Sequence, residues 1–161
     1  MMQMAAFQTA AGAPPEVILV ALLFVLVVVS LRTRSYADVR IGNATVRAEV
    51  ADNLVKQMLG LMGRSSLAEG DGMLFPLDQE GYPKFWMVGM TMPIDVIYLG
   101  SDNTVVDVKS DVQPFSLSNM DTTFVPARKA MYVLEVSAGF VKKHAIKVGA
   151  KADFGLDRVR S

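Results

Sequence analysis

The chain has 161 residues, with 16 lysines and arginines against 16 aspartates and glutamates, so no net field draws in nucleic acid or another polyanion. It contains no cysteine, which excludes disulfides, thiolate zinc sites, iron–sulfur clusters and cysteine nucleophiles. Its single histidine excludes a multi-histidine metal site, and no cofactor is expected.

Residues 1–15 read as an N-terminal tail, 16–34 as a transmembrane helix or signal anchor, 35–38 as a linker and 39–161 as one globular domain. The stretch 17–31, VILVALLFVLVVVSL, carries no charge, and a helix of that length covers about 22 Å of the roughly 30 Å hydrocarbon layer, so one further turn would bring it to spanning length. A cleaved signal peptide competes, with Ser35-Tyr36-Ala37 as its cleavage site. Two features favour the anchor: no positive residue precedes the segment, and Arg32 and Arg34 stand where a cleavable peptide is uncharged. The expected partner is therefore a membrane, crossed once through residues 16–34. Arg32, Arg34, Arg40 and Arg47 follow the segment, which places the domain in the cytoplasm by flanking charge, with an extracytoplasmic position as the alternative.

Residues 38–51 alternate about Gly42-Asn43, with Val39, Ile41, Val46, Ala48 and Val50 in one phase and Arg40, Arg47 and Glu49 in the other, a hairpin with one solvated face. Asp52 or Asn53 caps a helix running to Met62. Its stripe of Leu54, Val55, Met58, Leu59 and Met62 should lie on the sheet, and Gly63 should end it. Gly70-Asp71-Gly72 leads into a short strand that Pro76 terminates.

The centre of the chain is 85–99, FWMVGMTMPIDVIYL, read as two short strands joined at Pro93 and buried on both faces. Its second half pairs through 100–103 with a strand at 104–109. Residues 110–128 form a polar surface loop that could cover an opening of the sheet. A buried strand at 131–136 follows, then a short helix at 138–144 capped by Ser137, and a closing strand at 151–154. The predicted class is α+β: a compact, mixed and mostly antiparallel β-sheet or partly closed β-barrel with two short helices, preceded by one transmembrane helix.

Five blocks then identify a family. Gly60-Leu61-Met62-Gly63-Arg64 with Ser66-Leu67, Gly72-Met73-Leu74-Phe75, Phe85-Trp86-Met87, Met92-Pro93-Ile94-Asp95 and Val133-Leu134-Glu135 occur in order and spacing. Over 39–154 the chain resembles domain of unknown function 192, also called uncharacterised protein family 0127. The resemblance implies a compact, mostly β fold found in bacteria and archaea, often behind a signal peptide or anchor, with no established activity. The commonest pattern places Lys-Asn-Thr after the Trp-Met pair; here stand Val88, Gly89 and Met90, a version more like archaeal members.

Asp95 and Glu135 each sit inside an apolar strand, where an unpaired carboxylate loses its hydration, so a partner is required. Arg64, Lys84, Arg128 and Lys129 are available. The functional reading is a carboxylate–arginine cluster at a pocket mouth, with Trp86 beside it, holding a small polar ligand or doing acid–base chemistry. The plain reading is a structural ion pair. Met87, Met90 and Met92 invite a Cu(I) site, but strand geometry splits them between faces and favours core packing. His144 reads as a solvated cap, Ser65 and Ser66 as turn residues, and Trp86 as core in preference to a sugar platform. The function expected is a membrane-anchored, non-catalytic binding or interaction module. The alternatives are a carbohydrate-active or metal-independent hydrolase using Asp95 and Glu135, and a structural self-associating protein.

Overall fold

The computed structural model describes residues 14–32, 34–116 and 122–155. The chain divides into two units between Thr33 and Arg34. The predicted tail at 1–15 lies almost wholly outside the described residues.

In the first unit the uncharged run is helical as expected, forming α1 (Pro15–Arg32), opened by Pro15, whose fixed φ suits a first helical position. The transmembrane assignment is corrected: among the described residues no helix is long and apolar enough to cross a membrane. The reason lies at the ends. Glu16 occupies the first turn and Arg32 the last position, leaving a charge-free length of about 22 Å, short of the roughly 30 Å hydrocarbon layer.

The second unit begins with the hairpin β1 (Tyr36–Ile41) and β2 (Ala44–Val50), turned at Gly42 with φ +61°. Val39, Ile41, Val46, Ala48 and Val50 are buried as predicted. Glu49 is not solvated; it is buried on the opposite face. After α2 (Leu54–Leu59) come β3 (Asp71–Gly81), β4 (Phe85–Trp86), β5 (Ile94–Leu99), β6 (Val105–Val112), β7 (Thr123–Phe124), β8 (Ala130–Ser137), α3 (Phe140–Lys143) and β9 (Ala152–Asp153). Seven strands form one sheet in the order β6-β5-β8-β3-β2-β1-β9, antiparallel except where β3 returns beside β2 through the α2 crossover. The sheet curls until its ends meet. The Val105 N–H donates to the Ala150 carbonyl at 2.8 Å, and the Gly149 N–H donates to the Val105 carbonyl at 2.8 Å. The result is a half-barrel.

Period-two alternation sends side chains to two apolar layers. Val39, Val46, Leu74, Ile97, Leu134 and Phe140 fill the inside of the curl. Met73, Phe75, Met87, Val96, Tyr98 and Val133 cover the outside of β3, β8 and β5. This outer layer is roofed by the excursions between strands, and the candidate site lies in it.

Several expectations are corrected there. The strand at 85–99 is interior sheet only from Ile94, where β5 is buried throughout. Its first half is the two-residue β4, paired with β7 in a separate ribbon, and Trp86 is 49% exposed. Gly89, at φ +75°, breaks the strand; a Cβ there would also stand 2.6 Å from Met62 Cγ, so only glycine fits both the turn and the contact. The helix after Asn53 is shorter than predicted. Asn53 Oδ1 accepts from the Lys56 N–H at 3.1 Å, and Gly60, not Gly63, ends α2 at φ +51°. Its apolar stripe faces outward, Leu54 at 70% and Met58 at 57% exposure, whereas Lys56 is buried with its ammonium on Asp52 at 2.7 Å. Pro76 does not end β3 but sits at its register shift, where the missing N–H costs no ladder bond. Gly139, not Ser137, precedes α3. The long loop at 110–128 begins later, after Val112, and returns as β7.

Candidate functional site

Among the described residues Glu135 is the only acidic side chain lining a cleft of about 190 Å3 between α2, the segment after it, β3 and β4. It stands on β8 in a row with Met73 of β3 and Glu49 of β2, all on the outer face. Two adjacent strand spacings put the two glutamates on the order of 10 Å apart. Arg64 is committed to one of them: its guanidinium donates to Glu49 Oε2 at 2.6 Å, with Arg34 on the other side of Glu49 at 3.8 Å. Glu135 receives no hydrogen bond among the described residues. Burial pushes its carboxyl up to about 8, with the nearby Arg64 charge pulling the other way. The apolar surroundings therefore favour its protonated form.

The walls are Met58 and Met62 from the α2 side, Phe75 from β3, Phe85 and Trp86 from β4, and Met90 beyond the turn. Phe85 packs edge-on against Phe75 at 5.2 Å between centroids and stacks on Phe124 at 6.2 Å, which fixes that wall. Gly60 leaves the approach to the acid open: a Cβ there would lie 3.8 Å from Glu135 Oε2 and 3.5 Å from Phe75 Cζ. Behind the wall the Tyr98 hydroxyl is buried without a hydrogen-bond partner, and burial raises its phenol above the ordinary value.

Asp95 does not join Glu135. It follows Ile94 and precedes Val96, both in the outer layer, so its side chain points inside the curl. There Oδ1 accepts from the Asp111 N–H and Oδ2 from the Val141 N–H, each at 2.8 Å. The required partner is thus backbone, not a cation. This carboxylate ties the end of β6, where Asp111 takes φ +53°, to the first turn of α3.

Of the other predicted residues, Arg64 and Trp86 lie at or beside the cleft, and Lys84 lines it in an exposed position. Arg128 and Lys129 are exposed and do not line it. Met87 and Met92 are buried and Met90 lines the cleft, so the three do not act as one group. His144 is partly covered, its ring 4.4 Å from that of Phe140 and its Nε2 3.7 Å from Glu69. Among the described residues no three His, Cys, Asp or Glu side chains gather as a metal site. Sequence reasoning missed Met58, Met62, Phe75 and Phe85 as cleft walls. The available signal was the close succession of glycines at Gly60, Gly63 and Gly89, which hold backbone turns around the opening.

A half-barrel with an acid-floored cleft on its outer face is therefore the class of protein at hand. Residues 37–154 match the model of the DUF192 family, described as Uncharacterized ACR, and the chain belongs to that family. It is similar to a UPF0127 protein of Pyrococcus abyssi, 34% identical over 110 residues covering 67% of this chain and 86% of that one. It is also similar to one from Pyrococcus furiosus, 32% identical over 113 residues covering 68% and 89%. Both relatives are archaeal. Among solved structures, a protein of unknown function from Novosphingobium aromaticivorans superposes with a TM-score of 0.66 at 28% identity, covering 74% of this chain and 84% of that one. A candidate transcription regulator from Sinorhizobium meliloti gives a TM-score of 0.69 at 25% identity, covering 76% and 95%.

Proposed function

We propose that the half-barrel is a non-catalytic binding module whose ligand enters the cleft between α2 and β4 and meets Glu135 at its floor. The observation that carries this reading is a buried acid with no hydrogen-bond partner among the described residues, facing a cleft whose walls are aromatic rings and thioethers. Its carboxyl oxygens reach the cleft and are not sealed from it, so the partner they lack among the described residues can be supplied by whatever enters there. Acid–base chemistry by a carboxylate pair has no support, because Asp95 and Glu135 face opposite sides of one sheet. Lysine and arginine equal aspartate and glutamate in number, which gives no reason to carry over the regulator description of the Sinorhizobium neighbour.

Trp86 is the chain's only tryptophan and lines the cleft, so intrinsic fluorescence reports occupancy directly. Titration of the full chain with a set of fragment-sized aromatic and aliphatic compounds should shift Trp86 emission saturably for some of them. Emission unchanged by every compound, with no rise in melting temperature, would sink the binding reading.

A further inference from the structure

We propose that the cleft takes an organic ammonium ion on a small apolar body, its charge held by Glu135 and its flanks by Phe75, Phe85, Trp86 and the methionines. This rests on the binding reading above and names the ligand class. Ligand pockets for drug-sized molecules run to about 300–1,000 Å3, so a cleft of about 190 Å3 suits a fragment or a single amine-bearing side chain.

The polar inventory selects the charge. Side-chain donors on the lining are few: the Gln57 amide is already engaged by the Ala51 and Pro76 carbonyls at 3.3 Å each, and Trp86 and Lys84 are exposed. An anion would find Lys84 alone, in water. A cation finds Glu135, whose own cation has been taken by Glu49. Aromatic faces attract an ammonium through their quadrupole, and the thioethers of Met58, Met62 and Met90 pack softly around its apolar substituents.

The charged groups around Glu135 are Arg64 and Arg34 with Glu49, the exposed Lys84, the buried Lys56 of α2 with Asp52, and the Tyr98 phenol on β5; β3 contributes Met73 and Phe75. Arg64 and Arg34 are both held by Glu49, and Lys56 is held by Asp52, so among the described residues Glu135 is the acid of this group left without an ion-pair partner. At neutral pH an entering ammonium displaces the carboxyl proton into solvent: the O–H bond of Glu135 breaks, its proton passes to buffer, and the carboxylate accepts from the ligand N–H.

Benzylamine, benzyl alcohol and benzoate share one shape and differ in charge. They should be titrated into the full chain by Trp86 fluorescence and by calorimetry in two buffers of different ionisation enthalpy. Benzylamine should bind at least tenfold more tightly than the other two and release close to one proton at pH 6. Its affinity should rise about tenfold per pH unit up to about pH 8 and fall again once the amine itself loses its proton. Glu135→Gln, which keeps the shape of the side chain, should abolish both the preference and the proton release while its melting curve shows it folded. Equal binding of the alcohol or benzoate, or benzylamine binding with no proton release, overturns the ammonium assignment and leaves the cleft as a site. Silence from all three, including the melting temperature, overturns both.

Discussion

Replacing Glu135 by glutamine isolates the energetic consequence of keeping an acid in the outer layer. Below pH 4.5, the ordinary value for this carboxyl, folded and unfolded chains both hold the proton. Above it the unfolded chain gives its proton up while the folded chain retains it until about pH 8, so unfolding gains progressively. That window spans about 3.5 pH units at about 1.4 kcal/mol each, or about 5 kcal/mol in total. Glutamine titrates nowhere in the window and fills nearly the same volume. The variant should match the parent within about 1.5 kcal/mol at pH 4. It should exceed it by about 2 kcal/mol at pH 6 and by about 4 kcal/mol at pH 8, where the folded carboxyl is itself half ionised. Urea unfolding of the full chain at the three pH values, followed by Trp86 fluorescence and circular dichroism, measures the difference, in which every other titrating group cancels. Parallel stability curves for the two proteins would refute the claim that this carboxyl is buried without a partner.

Asp95→Asn should destabilise by about 3 kcal/mol, because an amide presents one acceptor where two backbone N–H groups need one each; a lowered urea midpoint with an unchanged native Trp86 spectrum is the expected record. Gly72→Ala places a Cβ 2.7 Å from the Glu135 carbonyl oxygen and from Val46 Cγ1, so it should cost about 2 kcal/mol or more in the same assay. Arg64→Gln strips Glu49 of its close partner and removes the one charge that lowers the Glu135 titration. Carboxyl NMR of that variant should show Glu135 titrating at higher pH than in the parent. Asn53→Ala removes the acceptor of the Lys56 N–H and should lower stability by about 1 kcal/mol, read as a drop in melting temperature.

The hairpin at 38–51, the buried strand at 94–99 and the strand at 130–137 were legible because alternation or unbroken apolarity over six or more residues leaves few other folds for a chain. The need of Asp95 for a partner was legible too, since dehydration penalises any carboxylate in an apolar strand. What answered it was not. Backbone N–H groups of Asp111 and Val141 come from 16 and 46 residues away, and nothing local marks a main-chain donor as available. The α2 stripe misled for a related reason. Leu54 and Met58 alternate as a buried face does, yet the sheet beneath is roofed by Leu61, Met87 and the buried stem of Lys56.

Local pattern thus determined which segments are strands, where they turn, and that two acids stand in apolar company; these follow from period, propensity and hydration, which are properties of neighbours in the chain. The direction each acid faces, inward for Asp95 and toward the cleft for Glu135, depends on which strands lie side by side. So does the commitment of Arg64 to Glu49. Pairing of β8 with β3 and β5, and the curl that brings Val105 to Ala150, are chosen by the burial of the whole sheet at once. Only that collective choice leaves one carboxyl satisfied by backbone and the other waiting at the floor of a cleft.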